Sequence, residues 1–141
     1  MSYSILIVDD SLPMRMVIKR TLKAAGYGKS QLLEAANGQD ALEQMRNNWV
    51  DMVLTDYNMP VMNGLDFLKV VKKEELFRDI PVLVISTEGN ESRIREFMEC
   101  GASGYITKPF APEAIRDLIV KILGETEYEE DADHGDEKFD F

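Results

Sequence analysis

The sequence predicts an α/β protein in which helices cover both faces of a parallel sheet. Short apolar runs alternate with longer stretches of helical period, and this alternation occurs five times in 141 residues. Parallel strands joined by helical crossovers are buried on both faces, which explains why the strand candidates are nearly continuous apolar runs. A chain of this length with 45% hydrophobic residues can form one such domain with a substantial core.

The five strand candidates are short apolar runs, most of them rich in aliphatic and β-branched residues. They span residues 3–8, 31–36, 50–55, 82–86 and 104–107. The third run is followed directly by an ionisable residue, Asp56. Burying a carboxylate is costly, so its position at the end of a core strand calls for a functional explanation.

Each strand candidate is followed by apolar residues at helical spacing. Pro13 is expected to open the first helix, and Gly26 and Gly28 are expected to stop it. Asn90 is expected to cap the fourth helix. The other predicted helices span residues 38–47, 65–74 and 112–123.

Five β/α units of this size predict a doubly wound sheet with five helices and the flavodoxin-like strand order 2-1-3-4-5. In such sheets, ligands bind at the carboxyl ends of the strands, where the strand order reverses. The reversal here lies between strands one and three, which are followed by Asp9 and Asp10 and by Asp56. Any chemistry is therefore expected at these acidic residues.

Charge divides the chain into two regions. Residues 125–141 contain nine acidic residues and one lysine, a net charge of −8, so residues 1–124 carry the other −2 of the total −10. We expect residues 1–124 to form the domain and residues 125–141 to be a solvated, disordered acidic tail. The alternative is that an acidic segment ending in aromatic residues docks on cations of its own domain or of a neighbouring copy. The cations considered are Lys108, Arg116 and Lys121.

Composition and charge argue against several classes of protein. There is no cluster of Lys and Arg suited to nucleic acid, and no apolar run approaches the roughly 20 residues of a membrane-spanning helix. The start, MSYSILIVDD, lacks the basic segment of a secretory signal. Cys100 is the single cysteine, which excludes an internal disulfide and fits a reducing compartment. We therefore expect a cytoplasmic protein that signals through protein contacts.

The strand ends are expected to form a pocket for a metal and a phosphoryl group. Adjacent parallel strands lie about 4.8 Å apart, so Asp9, Asp10 and Asp56 should lie together. Crowded carboxylates repel unless a cation neutralises them, and hard oxygen ligands favour Mg²⁺. Ser86 ends strand four with a hydroxyl, and Lys108 follows strand five with an ammonium group. This set suits phosphoryl transfer to an aspartate, with Asp56 as the central candidate nucleophile.

Four stretches resemble the receiver domains of bacterial two-component response regulators, and among these the stand-alone CheY-like chemotaxis regulators. They are ILIVDDS, LTDYNMPVMNGLDFL, PVLVIST and GASGYITKPF. The resemblance covers residues 3–123. It implies a phosphoacceptor switch rather than a turnover enzyme, with chemistry limited to self-catalysed phosphotransfer and autodephosphorylation.

The resemblance also implies a role for each residue of the pocket. Asp56 would be the phosphoacceptor. The Mg²⁺ ligands would be Asp9, Asp10, Asp56 and the backbone carbonyl of Asn58. The remaining roles would fall to Ser86 as the switch hydroxyl, Lys108 as the contact to the phosphoryl group and Tyr105 as the aromatic switch that turns inward on activation.

Three further expectations follow from comparing the sequence with the family pattern. The switch hydroxyl is more often Thr than Ser, and either hydroxyl can donate to a phosphoryl oxygen. The next residue is usually small, whereas Thr87 stands here and is expected to narrow access to the pocket. The bond between Lys108 and Pro109 is expected to be cis, as in the family.

The implied partners are proteins. A histidine kinase would donate the phosphoryl group, a flagellar motor switch protein or another protein target would receive the signal, and a phosphatase is a further candidate. A phosphorelay receiver, which exchanges the group with a histidine phosphotransfer protein, is the alternative function. No nucleic acid and no membrane insertion are expected.

Two alternatives from other classes fit the sequence less well. A haloacid-dehalogenase-like phosphatase also forms an aspartyl phosphate, but it carries an Asp-x-Asp pattern after strand one, where this chain has adjacent Asp9 and Asp10. A flavodoxin-type electron carrier would need a phosphate cradle in the same loop, where Asp10 would repel the phosphate of FMN.

Overall fold

The structure, a computed structural model, describes residues 3–124. Five strands form one sheet in the order β2-β1-β3-β4-β5, and every pairing is parallel. The strands are β1 (Ser4–Val8), β2 (Gln31–Ala35), β3 (Met52–Thr55), β4 (Val82–Ser86) and β5 (Gly104–Thr107). The predicted fold class and strand order are confirmed. The predicted acidic tail, residues 125–141, lies outside the described residues.

Five α-helices connect and follow the strands: α1 (Leu12–Leu22), α2 (Gly38–Asn47), α3 (Gly64–Lys73), α4 (Glu91–Glu99) and α5 (Pro112–Leu123). Four of them begin after a residue whose side chain accepts a hydrogen bond from a backbone amide of the first turn. These caps are Ser11, Asn37, Asn63 and Asn90. Such caps satisfy amides that have no partner inside the helix, and the predicted cap at Asn90 is confirmed.

The first helix ends differently from the prediction. The α-helix stops at Leu22, before the glycines, and the chain continues as a kinked helical turn over Lys23–Tyr27. Within that turn Gly26 has a φ of 104°, which glycine adopts with little strain. The turn places Tyr27 in the core, where its ring lies 6.2 Å from that of Tyr3.

The third strand begins two residues later than predicted. Asp51 precedes β3, and its carboxylate accepts hydrogen bonds from the Ser4 amide at 2.8 Å and from the Trp49 indole nitrogen at 2.9 Å. The Asp51 amide in turn donates to the Ser4 carbonyl at 2.7 Å. These bonds join the start of β1 to the loop between α2 and β3.

Two apolar clusters lie on opposite faces of the sheet. One contains buried residues of α2, α3 and α4, such as Leu42, Leu68 and Phe97. The other contains buried residues of α1 and α5, such as Ile18 and Ile119. Across residues 3–124, no helix is long and apolar enough to cross a membrane. The parallel strands leave two distinct edges: a carboxyl edge, where they end, and an amino edge, where they begin.

Candidate phosphoacceptor and metal site

Three carboxylates meet at the carboxyl edge. Oxygens of Asp9, Asp10 and Asp56 lie within 4.8 Å of one another. The hydrogen-bond ladder of the sheet extends to this point, since the Asp9 amide donates to the Ala35 carbonyl and the Asp56 amide to the Val8 carbonyl, each at 3.0 Å. The backbone therefore holds Asp9 and Asp56 in place. The prediction that the three carboxylates lie close together is confirmed.

Lys108 provides a cation inside this acidic cluster. Its Nζ lies 3.1 Å from Oδ2 of Asp9 and 3.4 Å from Oδ2 of Asp56. The Lys108 amide donates to the Ser86 carbonyl at 2.8 Å, and the bond to Pro109 is cis, as expected. One lysine facing three carboxylates leaves an excess of negative charge. Such an excess favours a further cation at the site.

Burial raises the pKa of Asp56, and the neighbouring charge of Asp9 acts in the same direction. The ammonium of Lys108 opposes this shift, as does the Tyr57 amide, which donates to Oδ1 of Asp56 at 2.7 Å. The ionised carboxylate is thus held in an environment that favours its neutral form. A cation bound beside it would restore the preference for the ionised form.

The two predicted switch residues, Ser86 and Tyr105, both form hydrogen bonds with the backbone of Glu88, in the loop after β4. Ser86 is fully buried, and its hydroxyl accepts a hydrogen bond from the Glu88 amide at 3.2 Å. The hydroxyl of Tyr105 donates to the Glu88 carbonyl. Burial raises the pKa of Tyr105, and hydrogen bonding to Ser86 opposes the rise. Tyr105 is therefore turned inward, towards the loop between β4 and α4.

The two other predicted positions lie at the rim of the site. Asn58 is exposed, two residues after Asp56, and Thr87 is exposed beside the buried Ser86. Both stand in loops at the carboxyl edge, one after β3 and one after β4. The expected narrowing of the pocket by Thr87 stays a prediction.

Two residues that the sequence analysis overlooked also shape the site. Arg15 donates to the Asp9 carbonyl at 2.6 Å and to Glu34 at 2.8 Å, so it ties the loop after β1 to β2. A Cβ on Gly64 would lie 2.0 Å from the carbonyl oxygen of Asp56, so only glycine fits beside the candidate nucleophile. The Asn-Gly pair at 63–64 was a visible signal for a tight approach, whereas nothing in the sequence marked Arg15.

An aromatic series connects the neighbour of Asp56 to Tyr105. The rings of Tyr57 and Phe97 lie 5.7 Å apart at 89°, and those of Phe97 and Tyr105 lie 5.6 Å apart at 63°. The guanidinium of Arg93 lies 4.2 Å from the centre of the Tyr57 ring. Edge-to-face contacts of this kind depend on orientation. A displacement of the Tyr57 ring is therefore expected to change the packing of Tyr105.

Comparison with known proteins agrees with this fold and site. The family described as the response regulator receiver domain matches residues 5–120, and the chain belongs to that family. It is similar to the chemotaxis protein CheY1 of Helicobacter pylori, with 41% identity over 121 residues that cover 85% of this chain and 96% of the relative. Chemotaxis protein CheY-3 of Vibrio cholerae is 39% identical over 119 residues, covering 84% and 90% of the two chains.

A solved structure of a CheY relative shows the same architecture. That of the chemotaxis protein CheY4 of Vibrio cholerae matches with a TM-score of 0.77 and 33% identity, covering 86% of this chain and 99% of that one. The chain is therefore a receiver domain similar to the CheY-like chemotaxis response regulators. Receiver domains of this type are signalling switches rather than turnover enzymes.

Proposed function

We propose that the protein is a phosphorylation-activated response regulator, which accepts a phosphoryl group on Asp56 from a histidine kinase. Its output is binding to a protein target, with control of the flagellar motor in chemotaxis as the favoured setting. The observation that carries this proposal is the position of Lys108, whose Nζ lies between Asp9 and Asp56 at the carboxyl edge. The similarity to chemotaxis proteins supports the choice of pathway.

The donor set fits Mg²⁺. Three carboxylates converge within 4.8 Å, and oxygen ligands of this kind suit a hard divalent cation. Asp9, Asp10, Asp56 and the backbone carbonyl of Asn58 would hold the ion. When bound, it would supply positive charge to neutralise phosphoryl oxygens.

The residues of the chain account for the transfer itself. A carboxylate oxygen of Asp56 attacks the phosphorus of a phosphohistidine, the new P–O bond forms as the P–N bond breaks, and the imidazole nitrogen retains the electron pair. Lys108 is positioned to donate to a phosphoryl oxygen as charge moves onto the new group. The Tyr57 amide fixes the orientation of the carboxylate. Catalysis of this kind is mainly positioning and neutralisation of charge.

The buried hydroxyl of Ser86 would carry the signal out of the site. On phosphorylation it would donate to a phosphoryl oxygen and draw in the loop that contains Glu88. Tyr105, whose hydroxyl donates to the Glu88 carbonyl, would be fixed in its inward orientation. The change stabilises one of two pre-existing conformations and so alters the surface of α4, β5 and α5.

The test of the proposed function is to treat the full chain with an acyl phosphate donor and Mg²⁺ and to measure its intact mass. We expect the addition of one phosphoryl group, because Asp56 is the proposed nucleophile and is oriented by both Lys108 and the Tyr57 amide. Reduction of the acyl phosphate with borohydride and peptide mapping should place the group on Asp56. A group mapped to Asp9, Asp10 or Ser86 would contradict the proposal.

The coupling role of Ser86 gives a second prediction. A Ser86→Ala protein should still accept the phosphoryl group but lose most of the phosphorylation-dependent gain in target binding, because the hydroxyl that pulls the loop is missing. The measurement is binding of a motor-switch peptide with and without the beryllofluoride mimic. Thr87→Ala is the matched control, since it removes an adjacent but exposed hydroxyl. A full gain in Ser86→Ala together with a lost gain in Thr87→Ala would assign the coupling to Thr87.

A further inference from the structure

A cavity of about 430 Å³ opens at the amino edge, at the opposite end of the strands from the phosphoacceptor site. It lies between the loop before β3 and the loop before β4, with Phe77 and Ile80 among its walls. Two large apolar side chains stand at its rim: Trp49 is 80% exposed and Leu76 is 88% exposed. Adjacent apolar groups left in water around a cavity indicate a binding surface.

The rim is held in place by hydrogen bonds. The Trp49 indole nitrogen donates to Asp51, whose other carboxylate oxygen accepts from the Ser4 amide. On the opposite side, Lys72 donates to the carbonyls of Arg78 and Ile80 at 3.0 and 3.1 Å. The cavity is therefore formed before any ligand arrives, which lowers the cost of binding.

The chain leaves the described domain at this same edge. The Tyr3 hydroxyl donates to the Leu123 carbonyl at 2.9 Å, which fixes the end of α5 beside the start of β1. Ser4, the next residue, bonds to Asp51 at the rim of the cavity. The acidic tail thus begins close to the cavity but on the other face of the sheet, because α5 packs with the opposite apolar cluster.

The tail is long enough to make this crossing. Phe139 is fifteen residues beyond Gly124, and an extended chain of that length spans up to about 50 Å. A domain of this size has an expected radius of gyration of about 14 Å. Phe139 and Phe141 can therefore reach the cavity, whereas Tyr128, four residues beyond Gly124, spans at most about 14 Å.

The distribution of charge over the described helices favours the amino edge for an acidic segment. Each of the helices α1 to α5 begins at the carboxyl edge of the sheet and ends at the amino edge. Acidic residues occupy the first turns of α2 to α5. Basic residues occupy the last turns of four helices: Lys19 and Arg20 in α1, Arg46 in α2, Lys72 and Lys73 in α3, and Lys121 in α5. A tail with a net charge of −8 is repelled by the first edge and attracted by the second.

Two acidic residues of the cavity lining, Asp51 and Asp79, oppose this attraction locally. Asp51 already accepts hydrogen bonds from Trp49 and Ser4, and Asp79 acts on Lys72, whose pKa it raises against the larger lowering effect of burial. Arg78 lies exposed between two residues of the cavity wall. We therefore expect burial of the aromatic side chains to determine where the tail binds. The basic residues at the helix ends would attract the acidic tail to this edge of the sheet.

We propose that the acidic tail, residues 125–141, docks on its own domain with Phe139 and Phe141 in the Trp49 cavity. This assignment differs from docking on Lys108. Lys108 is engaged by Asp9 and Asp56 in an acidic pocket, where an acidic tail would be repelled. The cavity lies at the opposite end of the strands from Asp56, so docking requires no contact with a phosphoryl group.

Trp49 is the single tryptophan of the chain, so its fluorescence reports on the cavity directly. The experiment compares the full native chain with Phe139→Ala/Phe141→Ala and with the matched control Tyr128→Ala. We expect the double variant to show a red-shifted emission and a rise of roughly twofold in quenching by acrylamide, because an aromatic partner no longer covers the indole. Quenching by iodide should rise further, because the anionic tail no longer repels it. Tyr128→Ala should match the native protein.

Three results would overturn the proposal. One is equal emission and quenching in the native chain and the double variant, with unfolding midpoints that show both are folded. Another is protection of Trp49 that increases with protein concentration to the same extent in all three proteins, which would assign the cavity to a second copy of the chain. The last is a change in Trp49 emission and quenching in Tyr128→Ala as large as in the double variant, which would contradict the assignment of Phe139 and Phe141 to the cavity.

Discussion

An Asp56→Asn protein is expected to remain unphosphorylated under conditions that modify the native chain fully. Asparagine has nearly the shape of aspartate but no carboxylate to attack phosphorus. The substitution also removes one of the three converging carboxylates. We expect the affinity for Mg²⁺ to fall by roughly tenfold or more, because even a lost second-shell partner commonly costs 10- to 100-fold. Intact mass after acyl phosphate treatment and a Mg²⁺ titration check the two effects.

The same substitution should not reduce stability at pH 7. Because the pKa of Asp56 is raised by folding, its favourable contribution is present below the unfolded pKa and is lost as pH rises through the folded pKa. At pH 7 the native domain therefore bears the cost of an ionised group that asparagine does not carry. Denaturant unfolding of Asp56→Asn is expected to give a midpoint equal to or above that of the native protein.

The matched control is Asp66→Asn, which makes the same chemical change at an exposed carboxylate in the first turn of α3. It should be phosphorylated like the native chain. Phosphorylation of Asp56→Asn at the native rate, or equal loss in both variants, would refute the assignment of Asp56 as the acceptor.

A Gly64→Ala protein is expected to lose about 3 kcal/mol of folding free energy, at the upper end of the usual cost of overpacking. The new Cβ would lie 2.0 Å from the Asp56 carbonyl oxygen and 3.1 Å from the Tyr57 Cα. Both contacts are backbone atoms, which cannot rotate away as a side chain would. The start of α3 or the loop after β3 must therefore move, and phosphorylation of Asp56 should slow along with the loss of stability.

The matched control is Gly28→Ala. Gly28 has a φ of −66°, and a Cβ there would meet nothing closer than 3.8 Å. That variant should differ from the native protein by less than about 1 kcal/mol, because it gains no clash and loses some chain entropy in the unfolded state. The measurement is the denaturant midpoint at unchanged slope. Equal midpoints for the two alanine variants would show that Gly64 is not closely packed against Asp56.

The sequence by itself determined the architecture and the location of the chemistry. Alternating apolar runs and helical stretches specified the five-stranded parallel sheet, and the order of strands in such a sheet placed Asp9 and Asp56 at one edge. The cap at Asn90 was equally visible, because a side chain that binds an amide three residues away acts within one turn. These features depend on local periodicity and on general rules of connection, which a single sequence contains.

The sequence was less informative where a contact competes with a local preference. The apolar residue Val50 suggested an earlier start to β3, but the strand begins at Met52, after Asp51, whose carboxylate accepts a hydrogen bond from the Ser4 amide. Gly26 suggested the end of a helix, and the backbone does leave helical angles there, but the α-helix ends earlier, at Leu22, and the kinked turn brings Tyr27 into the core. In both cases the deciding partner is far away in sequence, so no local pattern predicted it.

Only the tertiary structure decided how the parts of the site and of the surface are joined. It brought Lys108 within reach of two carboxylates, aligned Tyr57 and Tyr105 through Phe97, and left Trp49 exposed over a cavity at the amino edge. The physical reason is the same in each case. Distances of 3 to 6 Å between side chains are set by the packing of several elements at once, whereas sequence patterns specify the elements one at a time.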